Sequence, residues 1–496
     1  MSTKRRVFAS RMVTVFFASA LYLAVPVPVP AQDAVGRPDG AANTNSKAPA
    51  KPVTHGGNPN KRGPSKGSQP SPSPAASPAG ILPIPDYSAN FWSNAYLAGN
   101  WGGARTDLAN KGVQIGVEWT QFVQGVASGG NNRTTEYGAN LNYTINLDLM
   151  RMGVLPGALI KFRAESRYGD SVNADAGPIL PVNTQALFPL TSTLDKDIGL
   201  TITDLAWVQF LSPNLGVVLG KVDTLDGDPN EFASGRGVTQ FMNANMIFNP
   251  ALGLRLPYST LSASIIWMPI PPGAKGGITL TNSILNTADS SLSSGFDDFG
   301  EGTTWSGELD LRYALGNLPG GMNLGGLYSF NQDFAHLNTR LIFRPGEGLS
   351  IPTQNSTWAV YWSGFQYLYV DDSGPPLVEM NGAATHRGLG LFARVGFADE
   401  ETNPIDVSVS GGIGGRGLIS ARPNDTFGLG YYYNRNQTLR LLNLLGVEES
   451  SQGFECYYNI AITPAARLTL DLQVVDSVLR SVDTATVLGL RANLNF

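Results

Sequence analysis

The 496-residue chain carries 34 Lys and Arg against 39 Asp and Glu, a net charge of −5, which gives no basis for nucleic-acid binding. Hydrophobic residues make up 42% but charged residues only 15%, low beside the roughly 25% of an ordinary soluble domain. Its single cysteine, Cys456, excludes an internal disulfide, and beyond residue 31 no run of about 18 apolar residues exists to cross a membrane as a helix.

Lys4, Arg5 and Arg6 precede an apolar run from Met12 to Val27 and the small-residue sequence Val29-Pro30-Ala31. This is the pattern of a secretory signal peptide, residues 1–31, cut after Ala31. Pro26, Pro28 and Pro30 argue against a retained membrane anchor. Residues 32–80 are rich in Pro, Ser, Ala, Gly, Asn and Lys and nearly lack large apolar side chains, so they cannot offset the entropy of ordering and are expected to stay disordered. Lys47, Lys51, Lys61, Arg62 and Lys66 make this spacer basic. It reads either as a solvated linker or as a tether to an acidic polymer such as the cell wall. Residues 81–112 form a short segment ahead of the first strand, with a helix expected over Ala104–Lys111.

From Val113 onward, two-residue alternation dominates. In Tyr137–Leu149 the odd positions are Tyr137, Ala139, Leu141, Tyr143, Ile145, Leu147 and Leu149, and the even ones are small or polar. Such a run is a strand with one oily and one wet face. The pattern recurs at Val113–Thr120, Ile160–Tyr168, Glu308–Tyr313, Leu389–Phe397, Ile405–Ser410, Arg467–Val474 and Leu488–Phe496. Gly129-Gly130-Asn131-Asn132, Gly316–Gly321 and Asp371–Pro376 read as turns or loops between strands, and a second short helix is expected over Thr438–Leu445.

The polar faces carry concentrated charge, as in the row Lys161, Arg163, Glu165 and Arg167. The apolar faces carry Trp119, Tyr168, Trp207, Trp267, Trp305, Tyr313, Trp358 and Tyr431. An apolar, aromatic exterior with a polar interior describes a transmembrane barrel, and closure is required because an open sheet edge in lipid leaves backbone groups unpaired. The fold class is all-β: a transmembrane antiparallel β-barrel over residues 113–496 of about 16 strands, large enough for an aqueous channel.

Trp92 and Leu97-Ala-Gly-Asn-Trp-Gly-Gly-Ala-Arg-Thr-Asp-Leu108, followed by Lys111-Gly112-Val113, resemble the entry motif of the carbohydrate-selective outer-membrane porin (OprB-type) family, with Asn100 where an acid is common. Further matches follow in the family's order: Gly169-Asp-Ser171 with Gly177, Pro181-Val-Asn183 and Leu187-Phe-Pro189; Gly220-Lys221 with Asp228 and Phe232; Gly390-Leu-Phe-Ala-Arg394 with Asn403-Pro404, Gly414–Gly417, Arg422-Pro-Asn-Asp425 and Gly428-Leu-Gly430; and Glu455, Tyr458, Ile462-Thr-Pro464 and Asp471-Leu-Gln473, where Leu470 replaces a usual Pro. The set covers nearly everything after residue 90. The resemblance implies a 16-stranded barrel in the bacterial outer membrane for passive diffusion of sugars, with neither catalysis nor cofactor. It also implies outer-membrane lipid around the barrel, and a general or inorganic-ion porin as the alternative. A soluble, secreted carbohydrate-active β protein is the reading from another class.

Sugars suit Arg, Asp, Glu and Asn as hydrogen-bond partners at a constriction. Lys161, Arg163, Glu165 and Arg167 are the first candidates, and Glu308, Asp310, Arg312, Arg394 and Asp471 the second; each could equally only solvate a wide lumen. Arg105 is either a lumen ligand or an anchor of the N-terminal segment. Gly411–Gly417 lacks the Lys-Ser/Thr ending of a phosphate loop and reads as turn geometry. Asp297-Asp298 and Glu400-Glu401 lack an apolar setting for glycoside hydrolysis, His55, His336 and His386 form no metal motif, and Cys456 falls on the apolar face. The final strand, ending on the aromatic Phe496, resembles the signal read by the barrel-assembly machinery.

Overall fold

The computed structural model describes residues 80–189, 197–227, 230–253, 256–273, 276–296, 300–337, 342–344, 348–373, 377–378, 384–437 and 446–496. The expected signal peptide and spacer, Thr438–Leu445, Asp228, Asp297-Asp298 and His55 lie outside them.

A short helix, α1 (Ala104–Asn110), precedes the strands β1 (Val113–Ser128), β2 (Thr135–Asp148), β3 (Ala158–Gly169), β4 (Ile198–Ser212), β5 (Leu215–Asp223), β6 (Ser259–Gly273), β7 (Gly276–Asn286), β8 (Thr303–Leu315) and β9 (Leu318–Ala335). A small hairpin follows, β10 (Ile342–Arg344) with β11 (Gly348–Ser350), then β12 (Thr353–Val370) and a second small hairpin, β13 (Leu377–Val378) with β14 (Ala384–Thr385). The chain finishes with β15 (Gly388–Ala398), β16 (Ile405–Arg416), β17 (Thr426–Asn436), β18 (Ser450–Thr463), β19 (Ala466–Val475) and β20 (Ala485–Asn495). Apart from the two hairpins, these 16 strands form one closed antiparallel barrel in sequence order. Closure is made by β20 against β1, with Glu118 opposite Asn495 and Ser128 opposite Thr486. No barrel edge is left for lipid to meet.

Alternation assigned the faces correctly. In β2, Ile145 faces Ile115 and Phe162 across its neighbours, while Thr144 faces Gly116 and Arg163. Leu205, Trp207, Trp267, Trp305, Trp358, Leu391, Tyr431 and Leu490 stand exposed on the exterior, Trp267 at 52%. In water each would forfeit roughly 1.5–3 kcal/mol of burial energy; in hydrocarbon it would not. Cys456 lies exposed on the same face.

Three expectations need correction. The first is the reading of glycine stretches as turns: Gly411–Gly415 is the interior of β16, and Leu318–Gly321 already belongs to β9. Ile405, expected outside, is wholly buried with Leu225, Ile247, Phe248 and Tyr258, because a bulge between Ile405 and Val407 re-aims it.

The third correction concerns the interior, which is not simply polar. The connection between β5 and β6 folds into the barrel, carrying α2 (Ala244–Ile247) and α3 (Pro250–Gly253), and its described residues are mostly buried. It is keyed to a glycine patch on the inner wall. A Cβ at Gly414 would stand 2.5 Å from the Cβ of Phe232, one at Gly428 2.7 Å from Phe241, and one at Gly430 2.7 Å from the sulfur of Met246. Only hydrogen at these wall positions lets Phe232, Phe241 and Met246 pack flush; all three are buried. The connection between β3 and β4 also enters, placing Val172, Val182 and Phe188 in the interior.

Candidate functional site

Loop and wall meet in a charge cluster. β3 projects Lys161, Arg163 and Glu165 inward, β4 contributes Asp204, β5 ends on Asp223, and the inward connection adds Asp226 and Arg236. The Arg163 guanidinium donates to Asp223 at 2.9 Å and forks onto both oxygens of Asp226 at 2.8 and 2.9 Å. Arg236 donates to Asp226 at 3.0 Å and Glu165 at 3.1 Å and also binds Asp223 and the Tyr258 hydroxyl. Lys161 lies 3.3 Å from Asp204 and 3.7 Å from Asp226. Glu165 additionally accepts from the Tyr258 and Thr203 hydroxyls. Three cations thus stand against four carboxylates, one charge short of balance, and Asp223 and Glu165 lie deeper than the guanidinium faces.

The electrostatics follow from that geometry. Burial alone would lower the Arg236 pKa, but Asp223, Tyr258, Glu165 and Asp226 outweigh it and hold the group well above its ordinary value. Burial would likewise raise the Asp226 carboxyl, yet Arg163, Arg236 and Lys161 hold it well below the usual carboxylate range.

Arg163 and Arg236 border a cavity of about 430 Å³. Its other walls include Gln114, Glu118, Asn142 and Thr144 of β1 and β2, Tyr87 and Tyr96 of the N-terminal segment, Arg467 of β19 and, across the barrel, Arg416 of β16.

The remaining sequence candidates have other tasks. Arg167 donates to the carbonyl of Leu187 at 2.6 Å and so holds the β3–β4 connection. Arg394 is buried with only 1% exposed and donates to the carbonyls of Met246 at 2.7 Å, Ile247 at 3.3 Å and Ala233. Asp471 is buried beside Gln473, which reaches it at 2.8 Å and the carbonyl of Val182 at 2.9 Å. Glu308 accepts from Tyr361 and from Asn323, while Asp310 pairs with Arg312 at 3.2 Å. None of these borders the cavity.

Arg105 is an anchor. It donates to the carbonyls of Ile115 and Phe496, both at 2.8 Å, with the rings of Tyr87, Tyr96 and Trp101 stacked 4.3–5.1 Å away. One buried cation therefore ties the N-terminal segment, β1 and the last residue together. Arg105→Ala should cost about 3–5 kcal/mol from two charged hydrogen bonds and the ring contacts. The expected result is a folded barrel that converts to its unfolded gel mobility at a temperature several degrees lower.

Sequence reasoning missed Arg236, Asp223, Asp226, Asp204 and Glu118. Asp223 and Asp226 lie between Lys221 and Phe232 of the family pattern, a signal that was available. Arg236 sits between Gly235 and Gly237 in a stretch without periodicity, at a positive φ of 52°, and nothing local marked it.

A closed, lipid-coated barrel narrowed by an inward connection with a charged surface is the construction of an outer-membrane porin. The chain belongs to the carbohydrate-selective porin, OprB family, whose model matches residues 132–496. No curated protein sequence matches it. Among solved structures it is similar to the high-pH structure of Pseudomonas putida OprB at 20% identity, with a TM-score of 0.68 over 82% of this chain and 100% of that one. The low-pH structure of the same protein aligns at 17% identity and a TM-score of 0.50 over 82% and 99%. The protein is a multistrand barrel of the bacterial outer membrane, as the sequence led one to expect, and a soluble secreted β protein is set aside.

Proposed function

We propose that sugars cross the barrel by passing the guanidinium faces of Arg163 and Arg236, which with Lys161 and Glu165 form the constriction. What carries this reading is the arrangement of the cluster: Arg163 and Arg236 border open space while Asp223 and Glu165 lie behind them. Such a surface offers fixed donors and acceptors in exchange for a sugar's hydration water, yet little net charge to trap an ion. Diffusion of this kind needs no catalyst, so the chain acts as a channel rather than an enzyme. Delivery to the assembly machinery through the strand ending on Phe496, and contact of the basic spacer with the cell wall, belong to the same proposal.

The test is single-channel current in a planar bilayer, titrated with glucose and maltose. Saturable block in the wild type, weakened in Arg163→Ala together with a higher open conductance, is the expected result. Current indifferent to every sugar would transfer the reading to a general or inorganic-ion porin.

A further inference from the structure

We propose that residues 80–87 of the N-terminal segment form a second narrowing of the channel, in series with the arginine cluster, at the end of the barrel where β1 begins. It limits passage by its bulk, whatever the solute. The proposal needs an open channel only and is independent of what the arginines favour.

The inner wall carries the first observation. Leu159 of β3, Val208 of β4 and Val218 of β5 lie opposite one another across the strands and are wholly buried. Their neighbours Trp207 and Leu219 stand exposed on the exterior, so alternation turns these three inward. Facing a water-filled lumen, each would forfeit roughly 1.5–3 kcal/mol of burial energy. Leu82 instead shares their apolar cluster, together with Leu252 of the inward connection, and Ile81 and Phe210 pack against it. This sector of the barrel is filled.

The second observation is how firmly the segment is held. The Leu82 N–H donates to the Asp148 carboxylate at the end of β2 at 2.9 Å, and the Leu82 carbonyl accepts from Arg151 at 2.8 Å. The Pro83 carbonyl accepts from Gln114 of β1 at 2.7 Å. Gly80 lies flush on the Asp148–Arg151 pair, where a Cβ would stand 2.3 Å from the carboxylate. Pro83 and Pro85 restrict the backbone further by fixing φ. A stretch without regular secondary structure is thereby built into the wall.

The third observation is what the segment faces. Leu82, Pro83, Pro85 and Tyr87 border the same open space as Arg163 and Arg236. Arg163 lies midway along β3, whereas Asp148, which holds Leu82, lies at the end of β2. The two narrow zones therefore stand at different depths, and the segment bounds the space between the arginines and this mouth.

The test places a thiol on the segment of the full-length protein in a planar bilayer. Pro83 is exposed and contributes only its carbonyl to the contacts above, so Pro83→Cys in a Cys456→Ser background keeps them. Labelling with 2-sulfonatoethyl methanethiosulfonate or its trimethylammonium analogue adds one charge of either sign. Both labels should lower the open conductance. The zero-current potential in a salt gradient should move toward cation preference with the sulfonate and toward anion preference with the ammonium, because a charge beside the path acts within a Debye length of about 10 Å at 0.1 M salt. Leu82→Asp, which sets a second carboxylate beside Asp148, should free the segment and raise the open conductance. Complete labelling, verified by mass, with conductance and potential unchanged would overturn the proposal and leave the arginine constriction standing. A thiol at position 83 that resists both reagents would overturn it as well, since a residue on the path is open to solutes. Gel heat-modifiability confirms that each variant is a folded barrel.

Discussion

Replacing Arg394 and Arg491 together by Met should raise open-channel conductance several-fold and abolish saturable sugar block, with the barrel still folded. Both arginines are fully buried and donate N–H groups to loop carbonyls. Arg394 holds Ala233, Met246 and Ile247, and Arg491 holds Gly237 at 2.6 Å and Gln240 at 2.7 Å. These carbonyls flank Phe241, whose ring sits over Gly428. Each buried carbonyl that loses its donor costs about 1–3 kcal/mol, and the unbranched Met leaves all of them in apolar surroundings. Glu455 still accepts from the N–H groups of Met242 and Asn243, and Asn403, Arg416 and Asn434 still hold Ala251, Glu231 and Asn245, so the loop stays attached but loses the two clamps beside Phe241. There the connection should swing from the wall, and the narrow zone that carries Arg236 should go with it. Conductance and sugar block identical to the wild type would mean that the inward loop does not set the pore.

The barrel was legible because lipid and water impose opposite demands on the two faces of each strand. Trp207 and Leu205 outside, with Asp204 bulged inward, show the pattern bending only where a side chain is recruited to the interior. The strand count followed from the same rhythm. What could not be read was how the barrel is filled. Gly390, Gly414, Gly428 and Gly430 carry no hydropathy signal, so nothing marked them as a docking wall for Phe232, Phe241 and Met246, and Gly414 fell in a stretch that reads as a turn. The row Lys161, Arg163 and Glu165 was visible because it alternates within one strand. Its partners Asp226 and Arg236 were not, because they reach it only after the chain has closed around them. Arg167 and Arg394 were selected for being charged and inward, which is equally the description of a side chain that pins a loop. Residue type and facing identify the polar lumen, while geometry alone divides its members into those that border open space and those that hold the loop.

Arg236→Met should convert the pore to marked cation preference and weaken the cluster. With Arg236 present, Lys161, Arg163 and Arg236 stand against Glu165, Asp204, Asp223 and Asp226. Without it, two cations face four carboxylates, and Glu165 retains only the Tyr258 and Thr203 hydroxyls among the partners described above. Removing one member of a buried ion pair costs about 3–5 kcal/mol when the abandoned charge stays dry. Here the cavity adjoins, so water and permeant cations can enter instead, and the cost appears as a change in what the pore attracts. Near 4 Å, unit charges at an effective dielectric constant of about 20 interact by roughly 4 kcal/mol, more than enough to bias the passing ions. The measurement is the zero-current potential across a tenfold salt gradient. It should move from near zero in the wild type to a clearly cation-selective value in Arg236→Met, and Arg236→Lys should return most of the way by restoring the charge without the fork. An unchanged potential in Arg236→Met would show that ions cross the barrel without passing this cluster, and the assignment of Arg163 and Arg236 as the constriction would fall with it.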